Sequence, residues 1–242
     1  MTSMRVLILA GGLGTRLRPA IGSTPKAMAE VAGRPFLEHL LDRVRRDGFR
    51  RVCLLTGYGA EAIEGYFGTG HARGLDIAYS REPEPLGTGG ALRLAASSLP
   101  DERFVVMNGD SLFQLPLRSL IDAHLEKGAL ATLALAQAAE PGRYGSVETD
   151  ADGQLCRFVE KGEPTAGGLV NAGIYVIEHS VLEAIPSGPA VSLEREVFPA
   201  LVGEGLYAVA FDGLLVDIGV PRDLEALRTR PDMVVATAGE PR

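Results

Sequence analysis

The sequence has few cysteines and no long hydrophobic segment. Its two cysteines, Cys53 and Cys156, lie far apart in apolar runs, which favours buried, reduced thiols and a cytoplasmic location over a disulfide framework. The first apolar run, 6–10, ends at two glycines and is too short for a signal-peptide core. Because no segment reaches the ~18 apolar residues of a membrane span, we expect a soluble protein with no membrane partner.

Basic residues are also scarce relative to acidic ones. The chain has 24 Lys and Arg against 31 Asp and Glu, which gives a net charge of −7. Binding to a nucleic-acid backbone requires a clustered basic surface, so nucleic acid is not an expected partner. The 242 residues are enough to bury a large core in one or two domains.

Lysine is the rarest of the common charged residues, with three in the chain. In a sequence that uses arginine so strongly, a loop lysine indicates a position that needs a compact charge. Lys26 in TPKAM and Lys161 in VEKGEP lie beside proline or glycine and are functional candidates, with surface solvation as the alternative. Lys127 lies at a predicted helix end and has no expected function.

Strands and helices alternate in the first half of the sequence. Apolar, β-branched runs predict strands at 5–10, 51–56, 75–80 and 103–108. Helical spacing predicts helices at 35–48, 59–66, 88–98 and 117–127. This alternation is typical of an α/β fold with a mostly parallel sheet covered on both faces.

The second half is richer in predicted strands. These lie at 130–136, 145–149, 155–160, 172–177 and 206–216. Further helices are expected near 192–202 and 221–229. After Pro231 the tail has no evident packing partner, and no linker or repeat divides the chain.

A glycine-rich loop follows the first predicted strand. The segment VLILAGGLGTRLRP, 6–19, places it at the carboxyl end of that strand, where open parallel sheets bind ligands. Its three glycines permit positive φ and let backbone N–H groups approach an anion, so the loop predicts a phosphate site. The alternative is an ordinary glycine turn.

Two other phosphate-binding loops do not fit this segment. A dinucleotide fingerprint requires glycine where Leu17 stands, which disfavours a nicotinamide-dependent oxidoreductase. A P-loop requires Gly-Lys-Ser/Thr, whereas Gly14 is followed by Thr15 and Arg16.

Two aspartates each follow a predicted strand. Asp110 lies in NGD and Asp217 in LLVDIG, so both carboxylates could meet above the sheet. Mg²⁺ prefers a few carboxylate oxygens together with phosphates and water, which suits such a pair. The alternative for each aspartate alone is a turn or helix cap. No pair of histidines has the spacing of zinc ligands, and no zinc is expected.

Six segments, in order along almost the whole chain, resemble the sugar-1-phosphate nucleotidyltransferases, also called sugar-nucleotide pyrophosphorylases. They are LAGGLGTRLRP with TPKAM, EPLGTGGAL, NGD, VEKGEP, NAGIY and DIGVPRDL. The resemblance implies a Rossmann-like three-layer α/β/α nucleotide-diphospho-sugar transferase fold with a mixed, mainly parallel sheet. It also implies one domain over 1–242, with a nucleotide-binding half at 1–128, a sugar-phosphate-binding half at 129–230 and a tail at 231–242.

The reaction implied by the resemblance joins an NTP and a sugar 1-phosphate into an NDP-sugar and pyrophosphate with Mg²⁺. The catalytic assignments carried over are Arg16 to the β- and γ-phosphates, Lys26 to the α-phosphate, Lys161 to the sugar phosphate, and Asp110 with Asp217 to the metal. The nucleotide site is implied at Leu9, Ala10, Gly11, Gly12, Gly14, Thr15, Glu82, Gly87 and Thr88. The sugar-phosphate site is implied at Gly145, Glu160, Lys161, Asn171 and Gly173, with Tyr144 or Tyr175 as walls.

Within the family, GRPFLEHLLD, NGDSLF and SLEREVFPAL resemble the manno-heptose-1-phosphate guanylyltransferases, which implies GTP and a heptose 1-phosphate as substrates. In that case Glu82 or neighbouring carbonyls would accept hydrogen bonds from guanine. Val220 departs from the family pattern, which more often has threonine. A uridylyl- or thymidylyltransferase acting on a hexose or amino-sugar 1-phosphate, a non-catalytic nucleotide-binding module, and a homo-oligomer all stay open.

Overall fold

The computed structural model describes residues 4–138, 146–159, 168–188 and 190–235. Its strands are β1 (Arg5–Leu9), β2 (Glu30–Val31), β3 (Arg34–Pro35), β4 (Arg51–Thr56), β5 (Asp76–Arg81), β6 (Arg103–Asn108), β7 (Ser111–Phe113), β8 (Ala131–Gln137), β9 (Ser146–Thr149), β10 (Leu155–Val159), β11 (Leu169–Glu178), β12 (Leu206–Phe211) and β13 (Leu215–Asp217).

The α-helices of the described residues are α1 (Arg18–Ile21), α2 (Phe36–Arg46), α3 (Ala60–Phe67), α4 (Gly87–Ala96), α5 (Leu117–Lys127), α6 (His179–Glu183), α7 (Phe198–Ala200), α8 (Pro221–Thr229) and α9 (Asp232–Val235). Within the described ranges, 3-10 turns lie at Lys26–Met28 and His71–Arg73, and a π-helical turn lies at Leu193–Val197.

The centre of the molecule is a nine-stranded mixed sheet. Its main path runs β10-β9-β11-β6-β1-β4-β5, with β8 paired to β11 and β12 paired to β8. The strands of the first half, β6-β1-β4-β5, are parallel, as the alternation of strands and helices predicts. β11 joins this sheet antiparallel to β6 and brings the strands of the second half to it.

Helices cover both faces of the sheet and create two core layers. In β1, Val6 and Ile8 pack toward one face while Leu7 packs toward the other, and all three are fully buried. Burying such side chains stabilises the fold by ~1.5–3 kcal/mol each, and a strand covered on both faces needs apolar residues at every position. The continuous apolar runs of the first half follow from this three-layer arrangement.

The predicted strand 206–216 is wrong as a single element. It divides into β12 and β13 around Gly213, whose backbone lies so close to the carbonyl oxygen of Gln114 that a side chain would not fit. β13 leaves the main sheet and pairs antiparallel with β7, which places Asp217 opposite Ser111. This separate ribbon carries the carboxylate of Asp217 to the end of β6.

Three other expectations need correction. The predicted helix 192–202 is a π-helical turn followed by the short α7. Cys53 is buried, and burial raises the pKa of its thiol to about 11, but Cys156 is exposed. Part of the tail is packed, because Val234 of α9 belongs to the core, while 236–242 lies outside the described residues.

Across the ranges that the structure describes, every helix is too short or too polar to span a bilayer.

The N-terminus of α8 lacks a side-chain cap. Val220 occupies the N-cap position in the extended conformation that capping residues adopt, with φ −136° and ψ 157°. A threonine hydroxyl there could accept from the backbone N–H groups of the first turn.

We therefore expect Val220→Thr to increase the free energy of unfolding by about 1 kcal/mol, measured by chemical denaturation. Val220→Ala is the control, since it shortens the side chain without adding an acceptor. Equal stability of the threonine and alanine variants would contradict this role for position 220.

Candidate active site

A cavity of about 350 Å³ opens at the carboxyl ends of the parallel strands. Nine of the residues assigned to the site from sequence line it, namely Leu9, Ala10, Gly11, Gly12, Lys26, Glu82, Gly87, Thr88 and Asp110. Because the sheet is parallel here, the loops after β1, β4 and β6 end at the same edge. The topology therefore brings together segments that are far apart in the sequence.

The glycines of the loop after β1 have different structural roles. Gly14 has a φ of 57° and packs against the side chain of Lys26. Gly11 does not need positive φ, but a Cβ there would lie 2.7 Å from Glu82 Oε1. Gly12 faces open space, with no atom within 4 Å of where its Cβ would lie. The expectation of positive φ holds only for Gly14, and the openness at Gly12 leaves its backbone accessible to a ligand.

Lys26 is held by its backbone and paired with Asp110. It begins the 3-10 turn that follows Pro25, and Pro25 packs so closely against Gly59 that a side chain at 59 would collide with it. The ammonium group Nζ lies 2.5 Å from Oδ2 of Asp110. Lys26 is largely buried while Asp110 is more exposed, so the pair points from the protein interior into the cavity.

Asp217 lies beside this pair. The backbone N–H of Ile218 donates to the carbonyl oxygen of Asp110 at 3.0 Å, which joins the two strand ends. Burial and the nearby Asp110 carboxylate raise the pKa of Asp217, against the opposing effect of Lys26. The carboxylates of Asp110 and Asp217 thus form a like-charge pair that Lys26 only partly neutralises.

This donor set fits a hard divalent cation. Asp110 lines the cavity, and Asp217 lies close enough to repel it without being part of the lining. Two carboxylates that repel each other gain from a cation between them, and Mg²⁺ takes its other ligands from phosphates and water. No group of three or more His, Cys, Asp or Glu residues with metal-binding geometry occurs within the described ranges. A site built on Asp110 and Asp217 therefore depends on substrate oxygens for the rest of its coordination.

Glu82 stabilises the loop that leads into α4. Its Oε2 accepts the backbone N–H of Leu86 at 3.0 Å, while Oε1 lies over Gly11 and Gly57. Burial raises the pKa of Glu82, although the hydrogen bond from Leu86 opposes this. The carboxylate is therefore both a loop anchor and part of the cavity wall.

The start of α4 forms the opposite wall of the cavity. Gly87 has a φ of 73°, and its backbone lies against that of Val191, leaving no room for a side chain. The hydroxyl of Thr88 accepts from Leu193 N at 2.8 Å and donates to Glu194 at 3.1 Å. Thr88 lines the cavity, but its polar group is bonded to the segment behind it.

The sequence NAGIY forms a bulge in β11. The pairing of β11 with β8 shifts between Asn171 and Tyr175, and Gly173 has a φ of 73°. Gly173 N donates to Asn171 Oδ1 at 2.9 Å. A Cβ on Gly173 would lie 2.7 Å from Nδ2 of Asn108, which lines the cavity. The bulge therefore brings the second half of the chain against the turn that carries Asp110.

Some expected residues are not brought into the cavity. Arg16 and Thr15 are exposed and are not part of its lining. Gly14, Asn171, Gly173 and Asp217 are likewise absent from the lining residues. Tyr175 cannot be an open wall, because its ring is fully buried. Tyr144, Gly145, Glu160 and Lys161 lie outside the described residues.

Other cavity residues were not assigned from the sequence. Asn108 and Gly109 line the cavity beside Asp110, and their position in NGD was a usable signal. Leu55 and Ala91 also line it, but they belong to apolar patterns that indicate only core packing.

Replacing Asp217 by asparagine should stabilise the protein at neutral and higher pH. Because its pKa is raised in the folded state, ionisation of Asp217 disfavours folding, and this cost is present above the raised pKa. Asparagine removes the charge and can still accept from Gly219 N as Asp217 Oδ1 does. We expect a higher Tm than wild type at pH 8 and no difference below the ordinary carboxyl pKa of ~3.9.

The control for this experiment is Asp212→Asn, which removes an exposed aspartate in the same segment. Thermal unfolding from pH 3 to pH 8 provides the measurement. A Tm difference for Asp217→Asn that grows as the pH falls would contradict the assigned repulsion.

Known proteins resemble this chain in sequence and in fold. A mannose-1-phosphate guanylyltransferase of Mycobacterium tuberculosis is 41% identical over 238 residues, which cover 97% of this chain and 66% of that protein. A D-glycero-alpha-D-manno-heptose 1-phosphate guanylyltransferase of Aneurinibacillus thermoaerophilus is 38% identical, over 91% of this chain and 95% of that protein. This chain thus spans 95% of the length of the heptose relative. It spans only 60–66% of the length of the mannose-1-phosphate guanylyltransferases that it matches at 41% identity.

Solved structures agree with these relatives. HddC from Yersinia pseudotuberculosis, crystallised in complex with GMP-PN, superposes with a TM-score of 0.82 at 30% identity. The superposition covers 94% of this chain and 99% of that one, and it confirms the Rossmann-like nucleotidyltransferase fold. Residues 5–230 match the family model of the nucleotidyl transferases, and the chain therefore belongs to the nucleotidyl transferase family.

Proposed function

We propose that this protein transfers a guanylyl group from GTP to a sugar 1-phosphate and releases pyrophosphate. The observation that carries the proposal is the meeting of Lys26, Asp110 and Asp217 beside the glycine-rich loop. A cation, two metal-binding carboxylates and open backbone N–H groups are the parts that phosphoryl-group chemistry requires.

The reaction needs charge neutralisation more than proton transfer. A phosphate monoester has its second pKa near ~6, so a sugar 1-phosphate is already largely dianionic at neutral pH and attacks without a general base. The main barrier is the approach of two polyanions, which positioning and cations lower. Lys26 would contact the α-phosphate as the sugar-phosphate oxygen attacks, and the loop amides at Gly11 and Gly12 would hold the triphosphate.

Mg²⁺ is the proposed metal, held by Asp110 and Asp217. When bound, it would neutralise charge on the phosphate oxygens as a Lewis acid. Arg16 would bind the departing β- and γ-phosphates, and its exposed position requires it to turn toward them. Lys161 would bind the sugar phosphate, with Gly145 and Glu160 contributing to the same subsite.

Guanine is the proposed base. Its N1–H and amino group are both donors, so it requires an acceptor, and Glu82 presents a carboxylate oxygen at the cavity wall. The guanylyltransferase names of the relatives support this choice over uracil or thymine.

The proposed sugar is D-glycero-alpha-D-manno-heptose 1-phosphate. The relative named for this activity matches this chain over 95% of its own length, and this near-complete match supports the heptose substrate. Mannose 1-phosphate is the second candidate, since a mannose-1-phosphate guanylyltransferase is 41% identical. Asn171 and Gly173 would lie against the sugar at the bulge of β11.

In this proposal, residues 1–128 bind the nucleotide and residues 129–230 bind the sugar phosphate. The cytoplasm is the proposed compartment, because nucleoside triphosphates are available there.

The decisive experiment tests four NTPs against heptose, mannose, glucose and N-acetylglucosamine 1-phosphates, with Mg²⁺ or EDTA, and measures released pyrophosphate. We expect the highest kcat/KM for GTP with the heptose substrate. Asp110→Asn should reduce turnover at least about 100-fold while the far-UV spectrum stays native. Preference for UTP or dTTP would reject guanylyl transfer, and nucleotide binding without any pyrophosphate would favour a non-catalytic module.

A pair of glycine variants tests the loop. Gly12→Ala adds a methyl group that meets no protein atom, so its Tm should stay near wild type while GTP affinity falls about tenfold through contact with the ligand. Gly11→Ala places a Cβ against Glu82 and should lower stability by about 1–3 kcal/mol. Calorimetric GTP titration and thermal unfolding provide the two measurements. Unchanged GTP affinity in Gly12→Ala would remove the loop from the nucleotide site.

A further inference from the structure

A carboxylate behind the cavity connects the elements on its two sides. Glu194, in the π-helical turn, accepts through Oε2 a hydrogen bond from Thr88 Oγ1 at 3.1 Å. Its other oxygen, Oε1, accepts one from Tyr175 Oη at 3.4 Å. Thr88 lies in the first turn of α4 and Tyr175 in β11. One side chain therefore contacts both the proposed nucleotide wall and the strand that carries the proposed sugar turn.

The contact continues from Tyr175 to that turn. The Tyr175 hydroxyl accepts from Asn171 Nδ2 at 3.0 Å, and Asn171 Oδ1 accepts from Gly173 N at 2.9 Å. Gly173 in turn lies against Asn108 at the cavity. A directed chain of hydrogen bonds thus runs from the bulge of β11 to Glu194.

The segment that carries Glu194 is also tied to α4 by its backbone. Val191 N donates to Leu86 O at 2.8 Å, and Gly89 N donates to Val191 O at 2.8 Å. With Thr88 bonded on both sides, the first turn of α4 has a fixed position relative to the 191–194 segment.

Neither Glu194 nor Tyr175 lines the cavity. Burial, and to a smaller extent the nearby Glu194, raise the pKa of Tyr175 well above its ordinary value, so its hydroxyl keeps its proton and donates. Among the described residues, Glu194 accepts hydrogen bonds from Thr88, Ser192 and Tyr175, and these contacts place it to act through its neighbours.

We propose that Glu194 is a positioning residue, which fixes the first turn of α4 relative to the Asn171–Gly173 turn. In this position the nucleotide and the sugar phosphate would be aligned for attack. This inference rests on the proposed function. Displacing reacting groups by ~1 Å can lower a rate by about 100-fold. A small shift of α4 relative to the Asn171–Gly173 turn should therefore lower kcat measurably.

A double-mutant cycle tests the coupling. Thr88→Val and Tyr175→Phe each remove one hydroxyl donor to Glu194 with little change in volume. They also remove the acceptors of Leu193 N and Asn171 Nδ2, respectively, so the coupling between the two variants, and not either single loss, is the readout. If both act through Glu194, each should lower kcat about tenfold, and the double variant should lose no more than about threefold further. Thr88→Ser keeps a hydroxyl and should restore most of the turnover. The dissociation constant for GTP alone, measured by calorimetry, should stay within about threefold of wild type.

A carboxylate-to-amide pair provides the matched control. Glu194→Gln keeps one acceptor oxygen and should lower kcat about tenfold with little change in either KM. Glu196→Gln makes the same change two residues along the same segment, where Glu196 accepts only from Ser192 N among its described contacts. We expect wild-type kcat from this control.

The outcomes separate the inference from the function on which it rests. Multiplicative kcat losses in the double variant, or a loss confined to GTP affinity in Thr88→Val, would overturn the positioning role while the enzyme activity stands. A wild type that forms no pyrophosphate with any substrate pair would overturn both. Should Glu194→Gln fail to fold, the Thr88 and Tyr175 cycle decides alone.

Discussion

The site depends on the forced approach of two carboxylates. Asp110 lies in the turn directly before β7, and Asp217 is the last residue of β13, which pairs antiparallel with β7. Their repulsion, added to burial, raises the pKa of Asp217, and Lys26 offsets part of it. An arrangement that disfavours the isolated fold is expected where a ligand of opposite charge is to be bound, and the buried two-layer core supplies the stability that tolerates it.

Close backbone approaches make this convergence possible. Gly109 lies against the carbonyl of Leu9, Gly173 against Asn108, and Gly59 against Pro25, each without room for a side chain. These contacts hold the β1 loop, the NGD turn, the β11 bulge and the Lys26 turn around one cavity. These three glycines therefore allow the segments to approach closely. Gly12 differs, because no protein atom lies within 4 Å of where its Cβ would be, and its backbone is open to a ligand.

The sequence predicts the parallel half of the fold well because its strands are buried on both faces and read as continuous apolar runs. It fails where tertiary contacts divide or redirect a pattern. The run 206–216 is apolar except for Asp212 and Gly213, and this pair, with Gly213 in close contact with the 113–114 segment, separates β12 from β13. Cys156 lies between Leu155 and Arg157, where the pairing of β10 with β9 shifts in register, and its side chain is exposed. Lys26, Asp110 and Asp217 were recognisable because each lies in a short motif, while the bond between Thr88 and Glu194 joins residues 106 positions apart and has no local signal.

In the proposed reaction, the charges at the centre of the site allow Lys26 and Asp110 to be partners in the ligand-free fold and to bind different ligands when these are present. Two carboxylates and one ammonium group sum to −1, which would repel a triphosphate. Asp110 and Asp217 would hold a divalent cation, which would change the sum to +1 and make the ion pair with Lys26 unnecessary for Asp110. Under this proposal the ammonium group, 2.5 Å from Asp110 Oδ2, would turn to a phosphate oxygen and exchange one ion pair for another. The ion pair therefore keeps the lysine at the cavity wall, already desolvated and aimed at the position where the phosphates would meet.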